Sequence, residues 1–187
     1  MSINTTLDTA YDHLEILSPG GELTNAEAIT VEWETYDLVS QTSRVEISVD
    51  GQAWSEVSGT SHALSGLGDG EHTIQVRAWD HAGNCATRST TVIVDRTAPD
   101  LLISSPLPGA VLGSSDVHVG WESSDTHGFT CQYRLDLGQW TSVTDDFTVL
   151  ALADGAHTIE LSCRDGAGNF ANRSVEFTVD THHPVVS

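Results

Sequence analysis

Hydrophobic residues in this chain alternate with polar ones in short runs. They are Ile29, Val31 and Trp33, then Val45, Ile47 and Val49, then Ile74, Val76 and Ala78; later come Val117, Val119 and Trp121, then Cys131, Tyr133 and Leu135, then Ile159, Leu161 and Cys163. A period of two is that of an extended strand with one face turned to a core. The runs stop at clusters such as Ser18-Pro19-Gly20-Gly21, Asp50-Gly51 and Asp80-His81-Ala82-Gly83-Asn84. Proline withdraws a ladder donor there, and glycine or asparagine turns the chain. No window carries a convincing helical period, so the pattern predicts an all-β chain.

The pattern also repeats. Asp69 to Asn84 returns as Asp154 to Asn169, offset by 85 positions, and Trp33 and Trp54 return as Trp121 and Trp140. Each copy holds about seven short strands, which predicts two tandem immunoglobulin-like β-sandwiches of two antiparallel sheets. Residues 1–12 read as a leading segment, 13–97 as the first domain and 98–183 as the second. Asp95-Arg96-Thr97-Ala98-Pro99-Asp100 forms a short, stiff linker. Its echo is Asp180-Thr181-His182-His183-Pro184, so 184–187 read as the start of a further repeat and the chain as part of a longer array.

Composition narrows the partners. Seven Arg, no Lys and 27 acidic residues give a net charge of −20, which repels nucleic acid and anionic membranes and suits divalent cations, high salt or solubility. No apolar run is long enough to span a bilayer, and no stretch resembles a secretory signal. The three cysteines lack the paired spacing of a thiolate zinc site. No nucleophile-elbow, metalloprotease or phosphate-loop motif occurs, and two similar units without a unique polar cluster argue against an enzyme.

The paired Asp-Gly-x-His-Thr-Ile and Asp-x-Ala-Gly-Asn elements, with Val94-Asp95-Arg96-Thr97-Ala98-Pro99, resemble bacterial and archaeal immunoglobulin-like repeats of cell-surface and adhesin proteins. The resemblance covers residues 14–184. It implies an extracellular spacer or adhesion module, often in tandem, with calcium bound near module junctions in some members. His182-His183 departs from the Ala-Pro approach of the first junction. A lesser similarity, through Tyr133-Arg134-Leu135 and Trp140, is to the immunoglobulin-like output module of some sensor proteins.

Three sets of residues are candidates for chemistry. Asp80 and Asn84, and Asp165 and Asn169, joined by Asp95, Asp100 or Asp180, offer hard oxygen ligands to calcium; Asp and Asn also close turns through their own side chains. Asp37 and Asp125 are alternative loop ligands. Cys131 and Cys163 fall at inward positions of neighbouring strands, where a disulfide or two buried thiols fit, while Val45 and Ala78 stand there in the first unit. Trp79 alternates outward and is a candidate stacking platform for a glycan or partner. Trp33, Trp54, Trp121 and Trp140 read as core or hairpin packing, and His72 and His157 as surface residues. No cofactor is required, with calcium the one candidate.

The expected function is a non-catalytic surface module, a rigid spacer and adhesion or cell-envelope interaction unit located at the cell surface. Its partners would be neighbouring immunoglobulin-like repeats, other surface proteins or glycans, without nucleic acid or membrane insertion. The alternative is a carbohydrate- or partner-binding accessory module of a secreted enzyme or sensor.

Overall fold

The structure, a computed structural model, describes residues 7–182. His183 and the expected start of a further repeat at 184–187 lie outside the described residues. The chain divides into two units between Arg96 and Thr97.

The first unit contains β1 (His13–Ser18), β2 (Leu23–Thr24), β3 (Ala28–Tyr36), β4 (Thr42–Val49), β5 (Ser55–Val57), β6 (Ser61–Ser65), β7 (Gly70–Asp80) and β8 (Cys85–Val94). They form a three-stranded sheet β1-β3-β6 and a five-stranded sheet β2-β8-β7-β4-β5. The second unit repeats this with β9 (Asp100–Ser105), β10 (Val111–Leu112), β11 (Val117–Ser124), β12 (Phe129–Leu135), β13 (Thr141–Val143), β14 (Phe147–Val149), β15 (Gly155–Asp165) and β16 (Phe170–Val179). Its sheets run β14-β11-β9 and β10-β16-β15-β12-β13.

Each unit thus has eight strands where the pattern shows about seven. The difference lies at its first edge. After Ser18 the Pro-Gly-Gly segment carries the chain from one sheet to the other, where β2 pairs in parallel with β8. Pro106 and Gly109 stand before the same crossing from β9 to β10, which pairs in parallel with β16. A two-residue strand is too short to show a period of its own.

The alternating residues fill the space between the sheets. Leu14, Val31, Trp33, Ile74, Val76, Val92 and Val94 are buried in one core, and Val117, Val119, Trp121, Ile159, Leu161, Phe177 and Val179 in the other. Removing this apolar surface from water is the main drive for each sandwich. Trp33 and Trp121 are core residues, but their polar ends differ. Trp121 Nε1 donates to the Asp145 carbonyl at 3.0 Å, whereas Trp33 Nε1 is buried without a partner among the described residues.

The leading segment is docked from Asp8 onward. The Tyr11 hydroxyl meets those of Thr35 and Thr42. Asp12 Oδ2 accepts from the Leu38 amide at 2.8 Å. These contacts are made by isolated polar side chains, which leave no hydrophobic period in the sequence.

Candidate functional site

The β7–β8 hairpin decides which of the candidate calcium ligands can meet. Its register pairs Gly70 with Val94 at one end and Trp79 with Cys85 at the other. Asp80 and Asn84 close the second end, and Asp95 follows the first. At about 3.3 Å per residue the two ends are roughly 30 Å apart, so Asp80 and Asn84 do not share an ion with Asp95. The second unit separates Asp165 and Asn169 from Asp180 in the same way, since Gly155 pairs with Val179 and Arg164 with Phe170. Sequence proximity to the linker misleads because each hairpin carries the chain the full length of its unit between these residues.

The Asp-x-Ala-Gly-Asn turns themselves are closed by their own side chains. Asp80 Oδ1 accepts from the Asn84 amide at 2.8 Å and Oδ2 from Asn84 Nδ2 at 2.7 Å. Asp165 accepts the same pair from Asn169 at 2.8 and 2.7 Å. Burial pushes both carboxyls up, but these hydrogen bonds outweigh it and hold them below the ordinary value. Asp100 begins β9, and its carbonyl accepts from Ser123 Oγ at 2.7 Å. Asp180 accepts from the His182 amide at 3.1 Å, and His182 Nδ1 lies 2.7 Å from Asp154.

In the first unit Asp80 meets different acids. Oxygens of Asp8, Asp37 and Asp80 lie within 4.8 Å of one another. Asp37 and Asp80 are 7% and 3% exposed. Asp37 Oδ1 accepts from the amides of Ser40, Val39 and Gln41 at 2.7, 3.1 and 3.2 Å. The Ser40 amide leads in holding the Asp37 carboxyl below the ordinary value, against burial. Asp8 Oδ2 is buried and has no hydrogen-bond partner among the described residues. Converging hard oxygens, two of them on side chains held ionised by fixed donors, match the chemistry of a calcium ligand set. Asp37 is one of the alternative loop ligands. Asp8 went unseen in the sequence because nothing there signals that the leading segment folds back.

Trp79 points outward from the five-stranded sheet, but it is not a free platform. Its Nε1 donates to Glu46 Oε2 at 2.9 Å, and the Arg44 guanidinium lies 4.6 Å from the ring centroid. Arg77 donates to the same carboxylate at 2.7 Å and covers the Trp54 ring at 4.1 Å. A similar arrangement occupies the second unit with the strands exchanged, the arginine on β12 and the glutamate on β15. Arg134 pairs with Glu160 and lies 4.7 Å from the Trp140 ring centroid. Trp54 and Trp140 therefore pack on the outer faces of the sheets and not in the cores. Alternation within a strand could not show this, because both lie in the connections after β4 and β12.

Cys131 and Cys163 are directly opposite in the β12–β15 ladder and are joined by a disulfide with an S–S distance of 1.98 Å. Cys85 is a free, exposed thiol. His72 and His157 lie at the surface but are partly covered, with side chains 13% and 12% exposed, held between two turns whose approach is not visible in the sequence.

Both units are two-sheet β-sandwiches of immunoglobulin-like type with matched registers, and they are similar to repeat domains of several larger proteins. Residues 12–96 match the family model for "Glucodextranase, domain B". The chain is 32% identical over 95 residues to Halomucin of Haloquadratum walsbyi, covering 47% of this chain and 1% of that protein. It is 28% identical over 156 residues to Bacillopeptidase F of Bacillus subtilis, covering 81% of this chain and 10% of that one. The chain thus spans only a small part of the curated relatives it matches. Drosophila OTK extracellular domains 3-5 share the fold with a TM-score of 0.54 at 15% identity, over 91% of this chain and 63% of that one. Among the described residues no helix is long and apolar enough to cross a membrane.

Proposed function

We infer that the chain is a non-catalytic module of an exported prokaryotic surface protein, serving as a spacer and adhesion unit. The observation that carries this reading is the duplication of its built polar features. Asp–Asn turns, His–Asp clamps and Arg-covered tryptophans recur in both units, and each ties one segment of a sandwich to another. Such ties brace each sandwich separately, as a spacer requires. The similarity to Halomucin and to extracellular immunoglobulin-like domains is in keeping with a location at the cell surface. Partners would be neighbouring repeats, other surface proteins or glycans, with nucleic acid and membranes disfavoured by the acidic charge.

Calcium belongs to this reading as a ligand of Asp8, Asp37 and Asp80, where it would fasten the leading segment to the first unit. Binding only the folded state stabilises it by mass action. Thermal unfolding in millimolar calcium should therefore run above that in chelator, with the difference abolished by Asp8→Asn. Superimposable curves would remove calcium from the function. A force-unfolding trace with no resistance beyond that of a disordered chain would remove the spacer role.

A second reading, a carbohydrate-binding accessory module, is favoured by one observation. A cleft beside the half-exposed Trp140 carries hydrogen-bonding side chains in a row.

A further inference from the structure

The cleft lies on the outer face of the second unit's five-stranded sheet and has a volume of about 290 Å³. Arg134, Trp140, Glu160, Asn172, Arg173 and Ser174 line it. The ladder places Arg134 opposite Glu160, and Glu160 opposite Ser174, so three strands contribute one continuous row. Asn172 lies on the same face two residues before Ser174 along β16.

The row is held rigidly. Arg134 Nε donates to Glu160 Oε1 at 3.0 Å and its terminal nitrogen to Oε2 at 2.8 Å, a bidentate pair. The same guanidinium stacks 4.7 Å from the Trp140 ring centroid, engaging one face of the indole. Trp140 nevertheless remains 39% exposed. The Asn172 amide and the Ser174 hydroxyl are exposed, with no side-chain hydrogen bond among the described residues.

We propose that this cleft binds a neutral hexopyranose unit of an oligosaccharide, stacked on Trp140 and hydrogen-bonded by Asn172, Ser174 and the Arg134–Glu160 pair. The inference rests on the carbohydrate-binding reading and names its site and ligand class. A pyranose offers a flat C–H face, which an indole accepts, and an equatorial rim of hydroxyls, which both donate and accept. The guanidinium donates, the carboxylate accepts, and the amide does both. The volume suits one or two sugar rings at the small end of ligand sites. A net charge of −20 opposes a polyanionic glycan. In the first unit the matching Trp54 is less exposed than Trp140, and Trp79 and Arg44 pack on the same outer face, so one site per chain is expected.

The test titrates the full chain with maltohexaose, cellohexaose, laminarihexaose and mannohexaose, with hyaluronan and alginate hexasaccharides as anionic probes. Calorimetry gives affinity, and the Trp140 indole N–H resonance reports the site. At least one neutral probe should bind and shift that resonance. Trp140→Ala should weaken binding by about tenfold or more, the loss of a stacked ring and its contact area. Asn172→Ala, on an exposed strand position that leaves the fold intact, should weaken it less, and Trp54→Ala should not change it. A preference for the anionic probes would overturn the inference, as would no binding by any neutral probe. Neutral binding that is unchanged in both Trp140→Ala and Asn172→Ala would remove this cleft while leaving the carbohydrate reading standing.

Discussion

His72 donates from Nδ1 to Asp50 Oδ2 at 2.7 Å and from Nε2 to the Gly68 carbonyl at 2.9 Å, so both ring nitrogens face acceptors. Only an imidazolium can satisfy both. The residue thereby clamps the β4–β5 turn to the connection before β7. His157 does the same in the second unit, with Asp136 at 2.7 Å and the Ala153 carbonyl at 2.8 Å.

The first prediction follows from this clamp. The hydrogen bond to Asp50, then that to Gly68, raises the His72 pKa above its ordinary 6.5, while Arg96 opposes the shift. For His157 the Ala153 carbonyl leads, followed by Asp136. A raised folded-state pKa means the stabilisation is complete below 6.5 and is lost as pH rises through the raised value. Asp50 is shifted the other way, below 3.8, chiefly by His72. Its share is complete above 3.8 and is lost as pH falls through the lowered value. Each clamp therefore contributes most between those limits. The melting temperature should fall from pH 5.5 to 8.5, and by less in the His72→Gln, His157→Gln double variant. An unchanged difference between the two pH values would show that the clamp does not titrate.

The second concerns Cys131 and Cys163, whose counterparts Val45 and Ala78 pair in the same register without a covalent link. The first unit shows that packing alone sustains the sandwich. A bond across a separation of 32 residues restrains the unfolded chain and contributes about 2–4 kcal/mol. Cys131→Val with Cys163→Ala should leave the second unit folded and lower its stability by about that amount. Reducing agent should lower the wild type similarly and leave the double variant unaffected. Denaturant curves with and without reductant read both effects.

These features were unequally legible in the sequence. The cores were plain, because Val31, Trp33, Ile74 and Val76 follow the period of two that burial on one face imposes. The Cys131–Cys163 pairing was open to reading because it follows from the same alternation. The Asp8–Asp37–Asp80 cluster and the His clamps were not, since they join turns distant in sequence, through single polar residues that carry no period. Asp80 and Asp95 are close in sequence but not in space, because a hairpin of two long strands returns the chain to the opposite end. Trp79 was placed on the right face, but its partners Arg44 and Glu46 come from the neighbouring strand.

The third prediction concerns the turn after β12. In the first unit the matching turn is Asp50-Gly51, with φ of 51° and 70°, closed by the Gln52 amide on the Val49 carbonyl at 2.9 Å, and its two central residues are both left-handed. In the second unit Asp136 and Leu137 take φ of 47° and 60°. Aspartate tolerates this region, whereas leucine's Cβ crowds its own backbone there. Nothing offsets the strain through burial, because Leu137 is 75% exposed. Relief of about 1–2 kcal/mol of left-handed strain is partly cancelled by glycine's greater freedom in the unfolded chain. Leu137→Gly should therefore stabilise the second unit by about 0.5–1 kcal/mol, leaving the first unchanged. Leu137→Asn should fall between, because asparagine enters the left-handed region more readily than leucine. Urea unfolding of the three proteins measures the order. If the leucine form proved the most stable, Leu137 would have to be gaining a contact that its exposure does not suggest, and the strain at this turn would not limit stability.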